Sequence, residues 1–361
     1  MAEPEPPRVL LIQTCLPDYR QQFVAELERR LGSDLLILVG KDHFDGTSSS
    51  RVDGPSVVVA DRNRFVLGRR LLWQRATVRS GIAAGAAVIE LNPRILSSWV
   101  ILLVRRALGR RTVVWGHSRG RGGGDALRRM MRRAAAAVLV YTETERWSLA
   151  AADPRALVVT APNAVYPSTS MRAAGGGQDL VWIGRMVAAK KPELAVRGFA
   201  AAVHRLPPGC RLVMAGDGPL RPAVRELVHR WGLADRVHLP GHVPPDRVDH
   251  LFTTAAATVC TGYVGLNLVQ SLGFGVPVLY ALEEPHSPEI EAATRENSLG
   301  FASDDTGALA AAMQAVFDSW MPDRAAIADR CRRAYSVEAM ADGFLAAVLG
   351  RPAPIPVRSA T

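Results

Sequence analysis

The sequence predicts an α/β protein built from two doubly wound domains, and three observations carry that prediction. At 361 residues the chain is too long for one ordinary core. Short apolar runs suited to buried parallel strands alternate with helical apolar spacing along its length. The alternation breaks once, after Pro162-Asn163, in a stretch rich in Pro, Ser, Ala and Gly, and then restarts.

Taken in order, Arg8 to Ile12, Leu35 to Val39, Val57 to Val59, Ala87 to Ile89, Thr112 to Trp115 and Val138 to Tyr141 read as buried parallel strands. Segments such as Tyr19 to Leu31 between them carry helical spacing, which makes residues 1–168 one domain. Residues 169–178 read as a linker. Strands over Leu180 to Ile183, Leu212 to Ala215, Val237 to Leu239, Thr258 to Cys260, Val278 to Tyr280 and Gly300-Phe301 define a second doubly wound domain, 179–335. A helix over 336–349 and a Pro-rich, disordered tail over 350–361 complete the expected organisation.

Composition excludes several classes. Apolar content of 48% and charged content of 22% are ordinary for a globular chain, and no apolar run reaches the length a membrane span needs. Met1 to Pro7 is acidic and Pro-rich without a signal-peptide core, which argues for a cytoplasmic protein. Cys15, Cys210, Cys260 and Cys331 lack metal-ligand spacing and read as reduced, buried thiols.

The net charge of +10 is unevenly spread: residues 1–168 hold 25 Lys/Arg against 15 Asp/Glu, whereas 169–361 hold 19 of each. Between Arg62 and Arg133 stand 17 arginines, opposed only by Glu90 and Asp125. Such a stretch attracts an anionic partner. Without zinc-finger spacing, an RNP-like aromatic motif or a helix-turn-helix, nucleic acid is not the expected one. An anionic membrane surface or an acidic substrate fits better, because Ile95 to Leu108 and Arg128 to Arg133 read as basic amphipathic helices, although a solvated arginine-rich face has the same composition. The protein is therefore expected to have a peripheral place on the inner membrane face.

Lysine is scarce. Of the 44 basic residues only Lys41, Lys190 and Lys191 are lysines, so an adjacent pair following the strand Leu180 to Ile183 and the dipeptide Gly184-Arg185 stands out. Residue types alone leave open an anion site and a helix start with surface lysines. Neither Gly-x-Gly-x-x-Gly after a strand nor Gly-x-x-x-x-Gly-Lys-Ser/Thr occurs, which speaks against a dinucleotide dehydrogenase and against a P-loop.

Four motifs in order then point to a family. Gly184-Arg185 with Lys190, Leu212 to Pro219, Arg236 to Val243 and Gly273 to Val278 resemble glycosyltransferase family 4, over roughly Leu180 to Phe317. In the first half, Leu16 to Arg20, Trp115-Gly116-His117 and Ala161 to Ala164 are similar to family features. The resemblance implies a GT-B fold, with two Rossmann-like domains facing each other across a cleft and the helix over 336–349 crossing back. It also implies a retaining enzyme with a nucleotide-diphosphate sugar as donor, UDP rather than GDP, no cofactor and no metal. Arg185 and Lys190 correspond to the pair that holds the donor diphosphate, and His117 to a histidine facing sugar and phosphate; as a lone His it fits a structural role equally. Gly184, His242, Val243 and the turn Val264-Gly265-Leu266 fall at donor-binding positions.

One departure stands out. Where the family usually has two carboxylates around the Gly-rich turn, this chain has Gly262 and Gln270. A Gln amide still bonds ribose hydroxyls, and Glu289 or Glu291 are the candidates to replace the other carboxylate. The expected function is sugar transfer to an acceptor held by the basic first domain, a lipid-linked or secondary-metabolite glycan. A non-catalytic nucleotide-sugar-binding protein is the alternative, because both carboxylates are missing.

Overall fold

The computed structural model describes residues 8–44, 49–59, 63–118, 125–174, 176–244 and 247–352. The chain divides into two compact units, Met1–Val165 with Val337–Thr361, and Tyr166–Ser336. Residues 169–178, expected to be a linker, belong to the second unit: Met171 is buried against its helices and the Ala174 amide donates to the Phe274 carbonyl. Of the tail expected to be disordered, 353–361 lie outside the described residues.

In the first unit the elements are β1 (Val9–Gln13), α1 (Gln21–Leu31), β2 (Leu35–Val39), β3 (Val57–Val59), β4 (Arg64–Val66), β5 (Leu71–Trp73), α2 (Arg75–Ala83), β6 (Ala86–Glu90), α3 (Leu96–Ala107), β7 (Thr112–Trp115), α4 (Asp125–Ala134), β8 (Ala137–Val140), α5 (Glu143–Ala152) and β9 (Val158–Thr160). Seven strands form a parallel sheet in the order β3-β2-β1-β6-β7-β8-β9, and β4 and β5 pair as a separate antiparallel hairpin. The pleat sends Val9 and Leu11 to one face and Leu10 and Ile12 to the other, and both faces are covered. That is why these strands read as continuous apolar runs. The last helix, α12 (Val337–Leu349), belongs to this unit and lays Phe344 edge-on against Phe23 and Trp115 at 5.9 Å each.

Much of the arginine surplus is used inside this unit. Arg105 is fully buried, and its guanidinium donates to the carbonyls of Gly81, Ile82, Ala84, Gly85 and Arg111 and to the Thr112 hydroxyl. Burial lowers its pKa to about 10, and it stays a cation. Arg69, Arg94, Arg106, Arg110, Arg111, Arg128 and Arg132 also donate to backbone carbonyls. The rigid fork of five donors suits arginine to this capping of strand and helix ends.

The second unit contains β10 (Asp179–Ile183), α6 (Pro192–Ala202), β11 (Leu212–Ala215), α7 (Arg221–Arg230), β12 (Val237–Gly241), α8 (Val248–Thr253), β13 (Ala255–Cys260), α9 (Leu266–Gly273), β14 (Val278–Ala281), β15 (Ser298–Phe301), α10 (Thr306–Asp318) and α11 (Arg324–Tyr335). Its sheet is parallel, in the order β12-β11-β10-β13-β14-β15. Strand order reverses between β10 and β13, and open α/β sheets bind ligands outside the carboxyl ends of strands at such a point. All four cysteines are buried, and none forms a disulfide.

Candidate functional site

At the reversal of the second sheet, two segments converge: Gly184 to Lys191 after β10 and Thr261 to Gly265 after β13. The Thr261 hydroxyl ties them together, donating to the Lys190 and Lys191 carbonyls at 2.9 and 2.8 Å while accepting from the Trp182 indole at 3.1 Å. Close backbone approach does the rest. A Cβ on Gly262 would stand 2.4 Å from the Ala189 carbonyl oxygen, and one on Gly216, at φ +148°, 1.8 Å from that of Gly184. Neither position admits a side chain without backbone movement.

The two lysines part here. Lys191, in the left-handed region at φ 47°, starts α6 and is held by Glu284 and Asp304, each at 2.6 Å. Lys190 turns the other way: its ammonium donates to the Tyr263 carbonyl at 2.5 Å and lies 4.6 Å from the centre of that ring. Burial, with Arg185 nearby, lowers its pKa, while Glu289 pulls the opposite way. Arg185 is exposed and, among the described residues, forms no ion pair. Two cations therefore stand beside the turn without the paired carboxylates that neutralise Lys191.

The turn leads into α9. Val264 is fully buried, while Gly265 and Leu266, at the helix entrance, are half-buried. The Asn267 side chain accepts from the Gly265 amide at 3.0 Å and donates to Cys260 Sγ, whose thiol burial pushes up to about 11. The orphan N–H groups of a helix N-terminus, with its positive dipole end, attract anions. Ser287 adds a buried hydroxyl: its amide donates to the Val264 carbonyl, its oxygen has no partner among the described residues, and it lies 3.9 Å from where a Cβ on Gly265 would be.

Sequence reasoning missed Ser287 and its neighbour His286. The Val264 amide donates to His286 Nδ1 at 3.2 Å, and His286 Nε2 lies 2.8 Å from the Ala281 carbonyl. Those partners require the neutral ring with its proton on Nε2. Burial, the largest cause, lowers its pKa. No local motif announces a bond that spans 22 residues.

The remaining predicted residues spread out. Glu289 is buried in the short helical turn Pro288–Ala292 and acts electrostatically on Lys190; Glu291 is half-buried two residues on. Gln270 is half-buried on α9 against Tyr166, whose hydroxyl burial pushes up to about 12 although the Gln270 amide opposes the shift. Gly184 donates to the Ala215 carbonyl; His242, just past β12, is exposed, and Val243 packs on the sheet. His117 belongs to the first unit, where its ring lies 4.7 Å from that of Tyr141, tilted by 50°, with Nδ1 3.9 Å from Glu145. Burial raises the Glu145 pKa, but His117 and the Ser118 amide outweigh it and hold the carboxyl below its usual range. Among the described residues no cluster of His, Cys, Asp and Glu suits a metal.

Residues 177–319 match the family model described as glycosyl transferases group 1. The match lies within the second unit. Its converging segments and α9 all lie inside the match. Two Streptomyces proteins are similar in sequence. The exopolysaccharide phosphotransferase SCO2592 of Streptomyces coelicolor is 30% identical over 202 residues, 53% of this chain and 21% of that protein. The 2-deoxystreptamine N-acetyl-D-glucosaminyltransferase of Streptomyces fradiae is 30% identical over 128 residues, 33% of this chain and 30% of that protein. The matched stretches thus span less than a third of these relatives. Among solved structures, Anabaena Alr3699/HepE in complex with UDP aligns with a TM-score of 0.68 at 14% identity, over 95% of this chain and 100% of that one. The lipopolysaccharide outer core galactosyltransferase WaaB aligns at 0.64 and 13%, over 95% and 99%. Around the matched residues the chain therefore has the GT-B fold, two Rossmann-like units.

Proposed function

We propose that the protein is a retaining, metal-independent glycosyltransferase that moves a sugar from a UDP-sugar to an acceptor held by its first unit. The observation that carries this reading is the pairing of Arg185 and Lys190 with the α9 entrance at the strand-order reversal. As the bond between sugar and diphosphate breaks, negative charge grows on the leaving phosphate. Two fixed cations and a helix N-terminus stabilise that charge more in the transition state than in the ground state. They fill the role a divalent ion fills elsewhere, so no metal or other cofactor enters the reading. The Ser287 hydroxyl is a further donor to phosphate, and Gln270 is set to bond the ribose. Preference for UDP is supported by the complexes of the HepE structures with UDP and UDP-glucose.

A lipid-linked sugar at an anionic membrane is the acceptor class the first unit favours. Leu103, Val104 and Leu108 at the end of α3 and Leu127 and Met130 on α4 are exposed apolar residues on packed neighbours, accompanied by exposed Arg106, Arg129 and Arg133. Apolar residues among arginines suit a headgroup boundary.

A thermal-shift panel of UDP- and GDP-sugars, followed by assays of transfer and donor hydrolysis with and without EDTA, tests the reading. A ligand at 100 times its Kd stabilises by about 2.7 kcal/mol, which names the donor. Binding with neither transfer nor hydrolysis would mark a non-catalytic sugar-nucleotide-binding protein, and a strict metal requirement would overturn metal independence.

A further inference from the structure

The first sheet has its own reversal of strand order, between β1 and β6, and one carboxylate ends there. Glu90, the last residue of β6, accepts from the Thr14 amide through Oε1 and from the Thr14 hydroxyl through Oε2 at 2.9 Å. Polar side chains close the neighbourhood: Asn63 donates to the Thr14 and Asp42 carbonyls, and Gln74 to the Gln13 carbonyl and to Asn63. Burial pushes the Glu90 carboxyl up, against the two Thr14 bonds and His43, which pull it down.

What Glu90 lacks is an arginine partner; His43 is the basic group that acts on it. It is one of two carboxylates among 17 arginines between Arg62 and Arg133, yet among the described residues it forms no ion pair. Arg69 and Arg94 donate instead to the backbone carbonyls of His43, Phe44, Arg69 and Arg70. Thr14 occupies one lone pair on each oxygen, and an ionised carboxylate accepts about twice that many bonds. Glu90 remains half-buried, so the others are not sealed away. A carboxylate that its surroundings desolvate weakens a fold, and such residues cluster where ligands bind.

We infer that Glu90 is the residue of the first unit that reads the acceptor, accepting hydrogen bonds from neighbouring hydroxyls of a sugar. The hydroxyls of a sugar are donors of the kind that the open lone pairs of this carboxylate accept. The inference rests on the proposed sugar transfer but is read without the donor.

Glu90→Gln is the decisive variant. Its Oε1 keeps the Thr14 amide, and its Nε2 donates to the Thr14 hydroxyl, which then accepts, so a purely structural Glu90 survives the change. The probes are the p-nitrophenyl glycosides of glucose, galactose and N-acetylglucosamine, followed by saturation-transfer NMR on the full chain, with UDP affinity measured in parallel. At least one glycoside should bind the wild type, and Glu90→Gln should weaken it roughly 10-fold or more, as losing a charged acceptor does. UDP affinity should not change. Tm at neutral pH should rise, because the carboxylate disfavoured by burial is gone, the usual trade of stability against binding. Equal glycoside binding by both proteins, no glycoside binding by the wild type, or a lower Tm with binding retained overturns the assignment. Absent UDP binding with glycoside binding intact would instead count against the donor reading alone.

Discussion

The Val264 amide reaches Nδ1 of His286 at 3.2 Å, so the turn at the head of α9 is latched from the loop that follows β14. The latch holds only while that nitrogen keeps its lone pair. Protonation would set an N–H against an N–H, with Lys190 close by.

The first prediction follows from the sign of this titration. Burial holds the folded His286 pKa below its ordinary value, so the contribution is fully present above the unfolded pKa, near 6.5, and is lost as pH falls through the folded value. Stability should therefore decline on acidification below about pH 6.5, and UDP affinity at the lower pH where the folded ring takes up its proton. In His286→Ala that acidic decline should flatten, and affinity at pH 7.5 should drop about 10-fold because the Val264 amide is stranded. An unchanged pH profile in the variant would show that the latch is inert.

The adjacent lysines give the second. Lys190→Ala and Arg185→Ala should each cut turnover by on the order of 100-fold with the fold intact, as removal of one electrostatic stabiliser does. Lys191→Ala breaks its pairs with Glu284 and Asp304 and should leave turnover within a few-fold. Steady-state kinetics of the three variants decide it; equal losses at Lys190 and Lys191 would erase the distinction.

This pair also marks the limit of what the sequence discloses. Rare lysines after a strand-ending Gly-Arg singled out the place and the resemblance chose Lys190, but the left-handed backbone at Lys191 and its pairing with Glu284 and Asp304, roughly a hundred residues away, leave no trace in the local sequence. Parallel strands buried on both faces wrote themselves as apolar runs, whereas the three-residue β9, β4 and β5 are too short to show a period. Charge misled most. Arginine counts cannot separate a cation facing solvent from one such as Arg105, surrounded by carbonyls.

What remains of the charge gives the third prediction. In low-salt lysates a substantial share of the protein should sediment with membranes and be released by salt, since attraction through Arg106, Arg129 and Arg133 is screened within about 8 to 10 Å at physiological ionic strength. Met130→Asp, which places a like charge against an anionic surface on an exposed position, should abolish vesicle binding without lowering Tm. Vesicle flotation that ignores both salt and this variant would remove the membrane from the reading.

The last prediction concerns the two carboxylates that the resemblance leads one to expect. Restoring the first should fail, because a Cβ on Gly262 meets the Ala189 carbonyl at 2.4 Å and the Lys190 backbone at 3.0 Å. Gly262→Ala alone should cost about 1 to 3 kcal/mol by overpacking and should displace Lys190, the residue whose backbone it strikes. Gly262→Glu should be worse, losing turnover rather than gaining it. Position 270 should behave differently. Gln270 is half-buried beside the Tyr166 hydroxyl, with room for a side chain of equal length. Gln270→Glu should keep UDP affinity within a few-fold, and Gln270→Ala should lose about 1 to 3 kcal/mol of it by stranding polar partners, with turnover less affected because the ribose contacts are alike in ground and transition states. Isothermal titration with UDP alongside thermal melts separates the cases. A stable, active Gly262→Glu protein would mean that the backbone approach is not what excludes the carboxylate, and unchanged affinity in Gln270→Ala would free that residue from the ribose.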